Sequence, residues 1–226
     1  MAERVVIFGS GKMAQLAHFY LTKDSPYEVV AFTVDGDWIK EKEIYGLPVV
    51  PFEEVAALYP PDTCKMFVAV GYKKLNRLRA SKYQEAKNKG YSLISYVCSK
   101  ASLWGDTVIG DNCFILENQV IQPFVTVGND VFLWSGSHFG HDVLIKDHCF
   151  ISSQVVVSGG VTIGENCFVG VNATIRDNVT IGRECIIGAG ALILRDTKDQ
   201  EVYVAEATEP YPLNSFYFEQ MMEISR

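Results

Sequence analysis

The sequence predicts two domains of different fold class, a small α/β domain followed by an all-β solenoid. An aliphatic residue or Phe recurs at every sixth position from Val97 to Ile193. Neither an α-helix nor an ordinary β-strand has a period of six, and a fixed repeat of this kind indicates a solenoid. Residues 1–96 instead alternate strand-like with helix-like segments, which is typical of a parallel α/β sheet. We therefore expect an α/β domain over residues 1–96, a solenoid over 97–198, and a closing segment with a short helix over 199–226.

We call the apolar residues that recur at every sixth position the ladder residues. Each six-residue unit also has a second apolar position. The position two residues before a ladder residue is small or β-branched almost throughout, and the residue after the ladder residue is often Gly. Residues two apart on a strand share a face, so both positions should be buried, and the glycine permits a turn. Four cysteines occupy the small position at multiples of eighteen residues: Cys113, Cys149, Cys167 and Cys185. We interpret them as core residues rather than metal ligands or disulfide partners.

The repeat (Ile/Val)-Gly-x-x-(small)-x, as in Ile163-Gly164 and Ile181-Gly182, resembles the hexapeptide repeat of the left-handed parallel β-helix acyltransferases. The resemblance covers residues 97–198 and implies a left-handed parallel β-helix in which three hexads form one triangular coil. Residues eighteen apart would then stack on neighbouring coils, about 4.8 Å apart.

Residues 1–96 predict a Rossmann-like, small parallel sheet, because strands and helices alternate along them. The predicted elements, in order, are strand Val5–Phe8, helix Met13–Leu21, strand Glu28–Val34, helix Pro51–Leu58, strand Met66–Val70, helix Leu75–Lys89 and strand Ser92–Val97. Near the other end of the chain, residues 213–224 predict a short amphipathic helix with Asn214 or Ser215 as its N-cap.

A glycine-rich turn follows the first predicted strand. Gly9-x-Gly11-x-x-Ala14 matches a loose dinucleotide fingerprint, and Asp35 ends the second strand, where such sites carry an acidic residue. The glycines would let backbone amides and a helix N-terminus approach a diphosphate. A complete NAD site is disfavoured because the domain has only about half the strands of a full Rossmann domain. A nucleotide site and a tight turn without a ligand both remain open.

A short α/β domain followed by a hexapeptide β-helix resembles the nucleotide-linked amino-sugar N-acetyltransferases, with the sialic-acid O-acetyltransferases beside them. The resemblance implies that the N-terminal domain holds the nucleotide of the sugar. The residues implied to bind this substrate are Gly9, Gly11 and Lys12 near the diphosphate or sugar, Asp35 and Asp37 near the nucleoside, and Gly71 and Lys73 at the next strand end. Many members carry Gly-x-x-Gly-His where this chain has Gly-x-Gly-Lys, which leaves the sugar and nucleobase open. Solvated surface is the alternative for both lysines.

Three of the four histidines, His138, His141 and His148, fall in one window of the solenoid. N-acetylation needs a base to remove a proton from the attacking amine, and His is the usual one. His141, in Phe139-Gly-His-Asp, resembles the family's catalytic (Ile/Val)-x-His-(Glu/Asp) strand, which implies that Asp142 orients the imidazole. The alternative for His141 is an interface hydrogen bond.

The other histidines of this window receive different assignments. His138 is assigned to the substrate side. The family has a second His nine residues after the base, where this chain has Phe150, and we do not expect His148 to replace it.

Gly159 lies eighteen residues after His141 and should stack beside it, followed by Gly160. Two glycines leave room for a pantetheine arm, and an exposed amide can bind a developing oxyanion; a simple corner turn is the alternative. The resemblance implies that the coenzyme channel continues on the same face through Val171, Asn172, Ala189 and Gly190.

Composition restricts the partners. A net charge of −7 and a pI of about 5.1 argue against nucleic acid or an anionic membrane as the main partner. We expect no signal peptide, no transmembrane span and no metal, and core cysteines that suit a reducing cytoplasm. Outward Phe132 and Trp134 suit a subunit interface, as in the trimers of the family, although isolated exposed aromatics are the alternative.

The sequence and the resemblance together predict an acetyl-CoA-dependent N-acetyltransferase. Its substrate would be a nucleotide-linked 4-amino-4,6-dideoxysugar in surface glycan (lipopolysaccharide) biosynthesis, acetylated in a cytoplasmic homotrimer. The alternatives are a sugar O-acetyltransferase with the same base and a non-catalytic β-helix binding or scaffold protein.

Overall fold

The computed structural model describes residues 2–224, so Met1 and the last two residues of the predicted 199–226 segment lie outside the described residues. The first part of the chain is an α/β unit. Its elements are β1 (Glu3–Phe8), α1 (Lys12–Lys23), β2 (Tyr27–Val34), a 3₁₀ turn (Gly36–Trp38), β3 (Glu43–Ile44), β4 (Leu47–Pro51), α2 (Val55–Leu58), β5 (Lys65–Val68) and α3 (Arg77–Asn88).

The sheet of the α/β unit has the order β3-β4-β2-β1-β5. The four strands from β4 to β5 run parallel, as predicted, and the short β3 adds an antiparallel strand beside β4. The chain reverses there through Tyr45 and Gly46, both with positive φ (54° and 76°), as a two-residue hairpin turn requires. Pro51 belongs to β4, which shortens the predicted second helix to α2.

β1 is the central strand, and both of its faces are buried. Val5 and Ile7 pack with α1, whereas Val6 and Phe8 pack with α2 and α3. A parallel strand covered on both sides is continuously apolar, which explains the Val-Val-Ile-Phe run.

The solenoid prediction is confirmed: each strand from β6 to β22 ends on a ladder residue. The strands are β6 (Tyr96–Val97), β7 (Ser102–Leu103), β8 (Val108–Ile109), β9 (Phe114–Ile115), β10 (Val120–Ile121), β11 (Thr126–Val127), β12 (Phe132–Leu133), β13 (His138–Phe139), β14 (Leu144–Ile145), β15 (Phe150–Ile151), β16 (Val156–Val157), β17 (Thr162–Ile163), β18 (Phe168–Val169), β19 (Thr174–Ile175), β20 (Thr180–Ile181), β21 (Ile186–Ile187) and β22 (Leu192–Ile193). β23 (Val202–Tyr203) then pairs with β21, and α4 (Ser215–Ile224) follows, with Asn214 Oδ1 accepting the Tyr217 N–H as its N-cap.

The strands form three parallel sheets, which are the three sides of a triangular, left-handed β-helix. We call them the β13 sheet (β7-β10-β13-β16-β19-β22), the β14 sheet (β8-β11-β14-β17-β20) and the β15 sheet (β6-β9-β12-β15-β18-β21-β23). Paired residues are eighteen apart, as in Val120, His138 and Val156, which confirms three hexads per coil. The ladder residues from Ile115 onward are buried along the axis, whereas Val97, Leu103 and Ile109, at the first coil, are only partly covered.

Three corners join the sheets. Corner 1 leads from the β15 to the β13 sheet (for example residues 170–173), corner 2 from the β13 to the β14 sheet (140–143 and 158–161), and corner 3 from the β14 to the β15 sheet (146–149). The cysteines point inward at corner 3 and are free thiols. The Cys113 and Cys149 thiols donate to the carbonyls of Gly128 and Gly164 at 3.0 Å, so they act as small core residues, as predicted.

The α/β unit packs on the outer face of the β15 sheet. This face carries a column of phenylalanines, and Phe67 of β5 lies 5.4 Å from Phe114 and 6.0 Å from Phe132 between ring centroids. Phe132 is fully buried inside the chain, and Trp134 is half-buried against the same cluster. The prediction that Phe132 faces another subunit is therefore wrong, because the α/β unit of the same chain covers it.

A buried charged network fixes α3 to corner 3. The Arg79 guanidinium is fully buried, lies 3.0 Å from Asp130 Oδ1 and 4.3 Å above the Phe132 ring, and donates to the backbone carbonyls of Asp130, His148 and Cys149 at 2.9–3.1 Å. Asn76, also buried, donates to the carbonyls of residues 166 and 167. The N-terminal end of α3 thus contacts three successive coils and joins the two parts of the chain.

Candidate functional site

His141 lies at corner 2, two residues after the end of β13. Its Nδ1 is 2.8 Å from Asp142 Oδ2, and the two side chains are 66% and 61% exposed. Adjacent residues of a strand face apart, but Asp142 has a left-handed backbone (φ 58°), which turns its carboxylate back toward the imidazole. The corner therefore creates the His–Asp pair that a straight strand would forbid.

The backbone of His141 is held from both neighbouring coils. Its N–H donates to Gln122 Oε1 at 2.9 Å, and its carbonyl accepts the Gly160 N–H at 2.8 Å. The imidazole thus projects into solvent from a rigid support.

The predicted stacking of Gly159 beside His141 is confirmed. A Cβ on Gly159 would lie 2.7 Å from His141 Nε2 and 2.8 Å from Cε1. Real Cβ atoms do not approach other atoms so closely, so the ring can occupy this place only because the residue is glycine.

The Gly159 amide is free for a ligand. Equivalent amides at corner 3 are occupied: Asp111 N–H donates to Asn129 Oδ1 at 3.1 Å, and Asn129 N–H to Asp147 Oδ1 at 2.7 Å. Within residues 2–224 the Gly159 N–H has no such acceptor. An unpaired backbone donor therefore lies beside the imidazole, as an oxyanion site requires.

The residues predicted for the coenzyme divide between two corners. Gly160 lies beside Gly159 at corner 2. Val171, Asn172, Ala189 and Gly190 lie at corner 1, so the prediction that they continue the same face is wrong. Val171 follows Gly159 by twelve residues, which is two thirds of a coil rather than a whole one. The outer face of the β13 sheet separates the two groups.

His138 lies on that outer face, between half-exposed Val120 and Val156. His148 does not join it: its Nδ1 is 2.8 Å from Asp130 Oδ2 at corner 3. Phe150 is buried under the α/β unit, so neither residue reaches His141 within the chain.

The predicted substrate glycines meet at one edge of the α/β sheet. Gly9 and Gly11 follow β1, and Gly71 and Lys73 follow the adjacent β5, where the order of the parallel strands reverses; ligands of open α/β sheets bind at such a point. Gly9 has φ 127°, and a Cβ there would lie 2.8 Å from the Ala69 carbonyl oxygen. We call this edge the glycine cradle.

Helix α1 begins at Lys12, with Gly11 as an N-cap that provides no side-chain hydrogen bond. The first helical amides are therefore open to an anion, and Lys12 is exposed beside them.

Asp35 and Asp37 lie at the end of β2 on the other side of β1. The Asp35 carboxylate is paired with Lys82 Nζ of α3 at 2.7 Å, and Gly36 N–H donates to Glu53 Oε2 at 3.1 Å. Sequence reasoning missed Lys82, since no spacing rule connects a polar position of the third helix with the end of the second strand.

One chain does not bring the glycine cradle and His141 together. The cradle belongs to a unit seated on the β15 sheet and corner 3, whereas His141 lies at corner 2, between the other two sheets. Among residues 2–224, no cluster of three or more His, Cys, Asp or Glu residues is arranged to hold a metal ion, and no helix is long and apolar enough to span a bilayer.

Residues 106–137, 124–159 and 160–195 match the family model described as bacterial transferase hexapeptide (six repeats). These residues lie within the β-helix and carry its six-residue repeat. The fold is that of the left-handed β-helix acyltransferases. No curated protein sequence matches the chain at a significant level.

Solved structures of similar fold cover almost the whole chain. PerB from Caulobacter crescentus, in complex with CoA and GDP-perosamine, is 27% identical with a TM-score of 0.80, covering 89% of this chain and 93% of that one. A variant of perosamine N-acetyltransferase from the same organism, with the same ligands, is 26% identical with a TM-score of 0.79 and the same coverage. The acetyltransferase domain of PglB from Neisseria gonorrhoeae, in complex with acetyl coenzyme A, is 22% identical (TM-score 0.81; 93% and 100% covered) and supports the fold alone.

Proposed function

We propose that this protein is an acetyl-CoA-dependent N-acetyltransferase whose acceptor is the amino group of a nucleotide-linked 4-amino-4,6-dideoxysugar. The observation that carries the proposal is the His141–Asp142 pair lying over Gly159, whose amide is unpaired. The likeness to PerB, which was solved with CoA and GDP-perosamine, supports the two substrate classes.

The chemistry follows from the geometry at corner 2. Asp142 accepts the Nδ1–H of His141, which leaves the Nε2 lone pair free to take a proton. The amine lone pair attacks the thioester carbonyl carbon while Nε2 removes the amine proton. The Gly159 N–H binds the oxyanion. The intermediate then collapses by breaking its C–S bond, and the proton leaves with the thiolate as the CoA thiol.

Coenzyme contacts are proposed at both corners that border the β13 sheet. Gly159 and Gly160 give room for the pantetheine arm beside His141, with His138 on the acceptor side. Val171, Asn172, Ala189 and Gly190 belong to the opposite edge of this sheet, so in the proposal they contact a coenzyme held by the His141 of a neighbouring copy.

A homotrimer is proposed because the glycine cradle and His141 are on different sides of one prism. Three prisms around a threefold axis would give a particle of ~75 kDa, three times the 25.2 kDa chain, with each site between two chains. Mixing a His141→Asn chain with a Lys12→Glu/Lys73→Glu chain should restore activity that both lack alone. No recovery in demonstrated mixed trimers would contradict a shared site.

The proposed setting is cytoplasmic surface glycan or lipopolysaccharide synthesis. The free, buried cysteines suit a reducing compartment, and nucleotide-linked sugars are the activated donors from which glycans are assembled.

The test is mass spectrometry of products after acetyl-CoA is incubated with UDP-, GDP- and dTDP-linked 4-amino-4,6-dideoxyhexoses and their 4-hydroxy counterparts. The proposal predicts that an amino sugar gains one acetyl group while one CoA thiol is released. Acetylation of only a hydroxy sugar would indicate an O-acetyltransferase, and no product from any of these nucleotide sugars would favour a binding or scaffold role.

A further inference from the structure

The strand order predicts which end of a bound nucleotide sugar lies over β2 and which lies over β5; this inference rests on the proposed function. The ends of β2, β1 and β5 are neighbours, and the open N-terminus of α1, where a diphosphate binds best, follows the middle strand. The nucleoside and the sugar must then lie on opposite sides, over β2 and β5. The sugar amine has to reach an acetyl group bound on a prism, and the β5 side is the one that contacts the prism.

Tyr72 occupies the β5 side, immediately after Gly71. The residue is 57% exposed, although its ring lies 5.1 Å from the ring of Phe150 and 5.0 Å from that of Phe168, at interplanar angles of 71° and 57°. The two phenylalanines fix the orientation of the tyrosine while leaving much of its ring open. The function proposed above does not use this ring.

The loop that carries Tyr72 is held in one conformation. Lys74, Leu75 and Asn76 have positive φ (53°, 51° and 62°), a costly run for residues other than glycine. Asn76 anchors the loop to corner 3 by donating to the carbonyls of Asn166 and Cys167 at 3.2 and 3.0 Å, and its own N–H returns to the Tyr72 carbonyl at 3.3 Å. A surface fixed in this way loses little conformational entropy when a ligand stacks on it.

We propose that Tyr72 is the stacking platform for the sugar ring of the acceptor and selects a 6-deoxyhexose. The C–H face of a pyranose is apolar and packs on an aromatic ring, and half-buried Phe168 beside Tyr72 continues the apolar surface, whereas buried Phe150 supports the ring from behind. A methyl group at C5 is accommodated there, whereas a hydroxymethyl group would lose its hydrogen bonds to water without gaining a protein partner from Phe168. Lys73, the next residue, remains available for the diphosphate.

Calorimetry on Tyr72→Ala and Tyr72→Phe tests this role. The two ligands are the nucleotide-linked 4-amino-4,6-dideoxyhexose that the wild type acetylates and the corresponding nucleoside diphosphate. Tyr72→Ala should weaken binding of the nucleotide sugar on the order of tenfold, as loss of an aromatic anchor does, and leave the nucleoside diphosphate unchanged. Tyr72→Phe should bind both as the wild type does, because stacking needs the ring and not the hydroxyl. Tyr45→Ala, which truncates a comparably exposed tyrosine (61%) in the β3–β4 turn, is the control and should change neither affinity.

Three outcomes would overturn the proposal. If Tyr72→Ala binds both ligands more weakly by the same factor, the ring contacts the nucleotide. If Tyr72→Ala binds the nucleotide sugar as the wild type does, the ring has no role in binding. If Tyr72→Phe binds the nucleotide sugar more weakly, the effect belongs to the hydroxyl. A wild type that acetylates no nucleotide-linked amino sugar refutes the proposed function itself, a result distinct from all three.

Discussion

The imidazole of His141 lies against Gly159, the residue one coil further along the same corner. No side chain fits between them, since a Cβ on Gly159 would come within 2.7 Å of Nε2. The coil repeat therefore sets the distance between the proposed base and the unpaired amide that is proposed to bind the oxyanion.

Gly159→Ala should lower kcat by ~10²-fold, because a displaced imidazole no longer meets the substrate in line with the oxyanion donor. The stability should change little, since the ring is exposed and can move away. Steady-state kinetics with acetyl-CoA and the accepted nucleotide sugar measure the effect.

Gly105→Ala is the matched control for this variant. Gly105 lies at the same corner on an earlier coil, and a Cβ there would meet nothing within 4 Å. If the two alanine variants have the same kcat, the close approach of His141 to Gly159 has no catalytic role.

The buried Arg79–Asp130 pair is expected to hold the two parts of the chain together. Arg79→Met should lower the free energy of unfolding by about 3–5 kcal/mol, because Asp130 would remain buried without its cation. Arg79→Met/Asp130→Leu should recover part of this loss, since the double variant leaves no unpaired charge. Urea unfolding measures both changes.

Arg77→Ala is the control for the interdomain pair, since the Arg77 side chain is 59% exposed in its ion pair with Glu184. Such a surface pair should contribute at most about 1 kcal/mol. A cost for Arg79→Met no larger than that of Arg77→Ala would show that the network does not hold the interface.

The solenoid could be predicted almost completely from the sequence, because a six-residue coil side leaves a local, periodic pattern. The β6–β22 strands follow from the ladder residues alone, and the eighteen-residue stacking placed Gly159 beside His141. The sequence pattern does not predict the His141–Asp142 contact by itself, because the contact depends on the left-handed backbone of Asp142.

Features that depend on contacts between distant elements could not be predicted. Phe132 alternates like a solvent-facing residue, and only the packing of the α/β unit shows that it is buried. The ion pair between Asp35 and Lys82 likewise joins elements that are distant in the sequence, so no local pattern predicts it. The coenzyme residues were assigned to one face because the resemblance supplied their identity but not their position around the coil.

Cys113 and Cys149, which point inward at corner 3, should resist alkylation in the folded protein. Burial raises the pKa of the Cys113 thiol to about 12 and that of Cys149 well above its ordinary value. The thiolate is the reactive form, so at pH 8 almost none is present, and the side chains are also inaccessible. Mass spectrometry after iodoacetamide treatment should find neither residue labelled in the folded protein, whereas both react after unfolding in urea. Rapid labelling of Cys149 in the folded state would contradict its burial at corner 3.

The most direct test of the proposed function is the kcat of His141→Asn with acetyl-CoA and the nucleotide-linked amino sugar that the wild type accepts. Asn occupies similar space but cannot take the amine proton, so kcat should fall by ~10²-fold or more. Coenzyme binding and the particle mass in light scattering should stay at their wild-type values. A His141→Asn protein that retains wild-type kcat at neutral pH would contradict the assignment of His141 as the base.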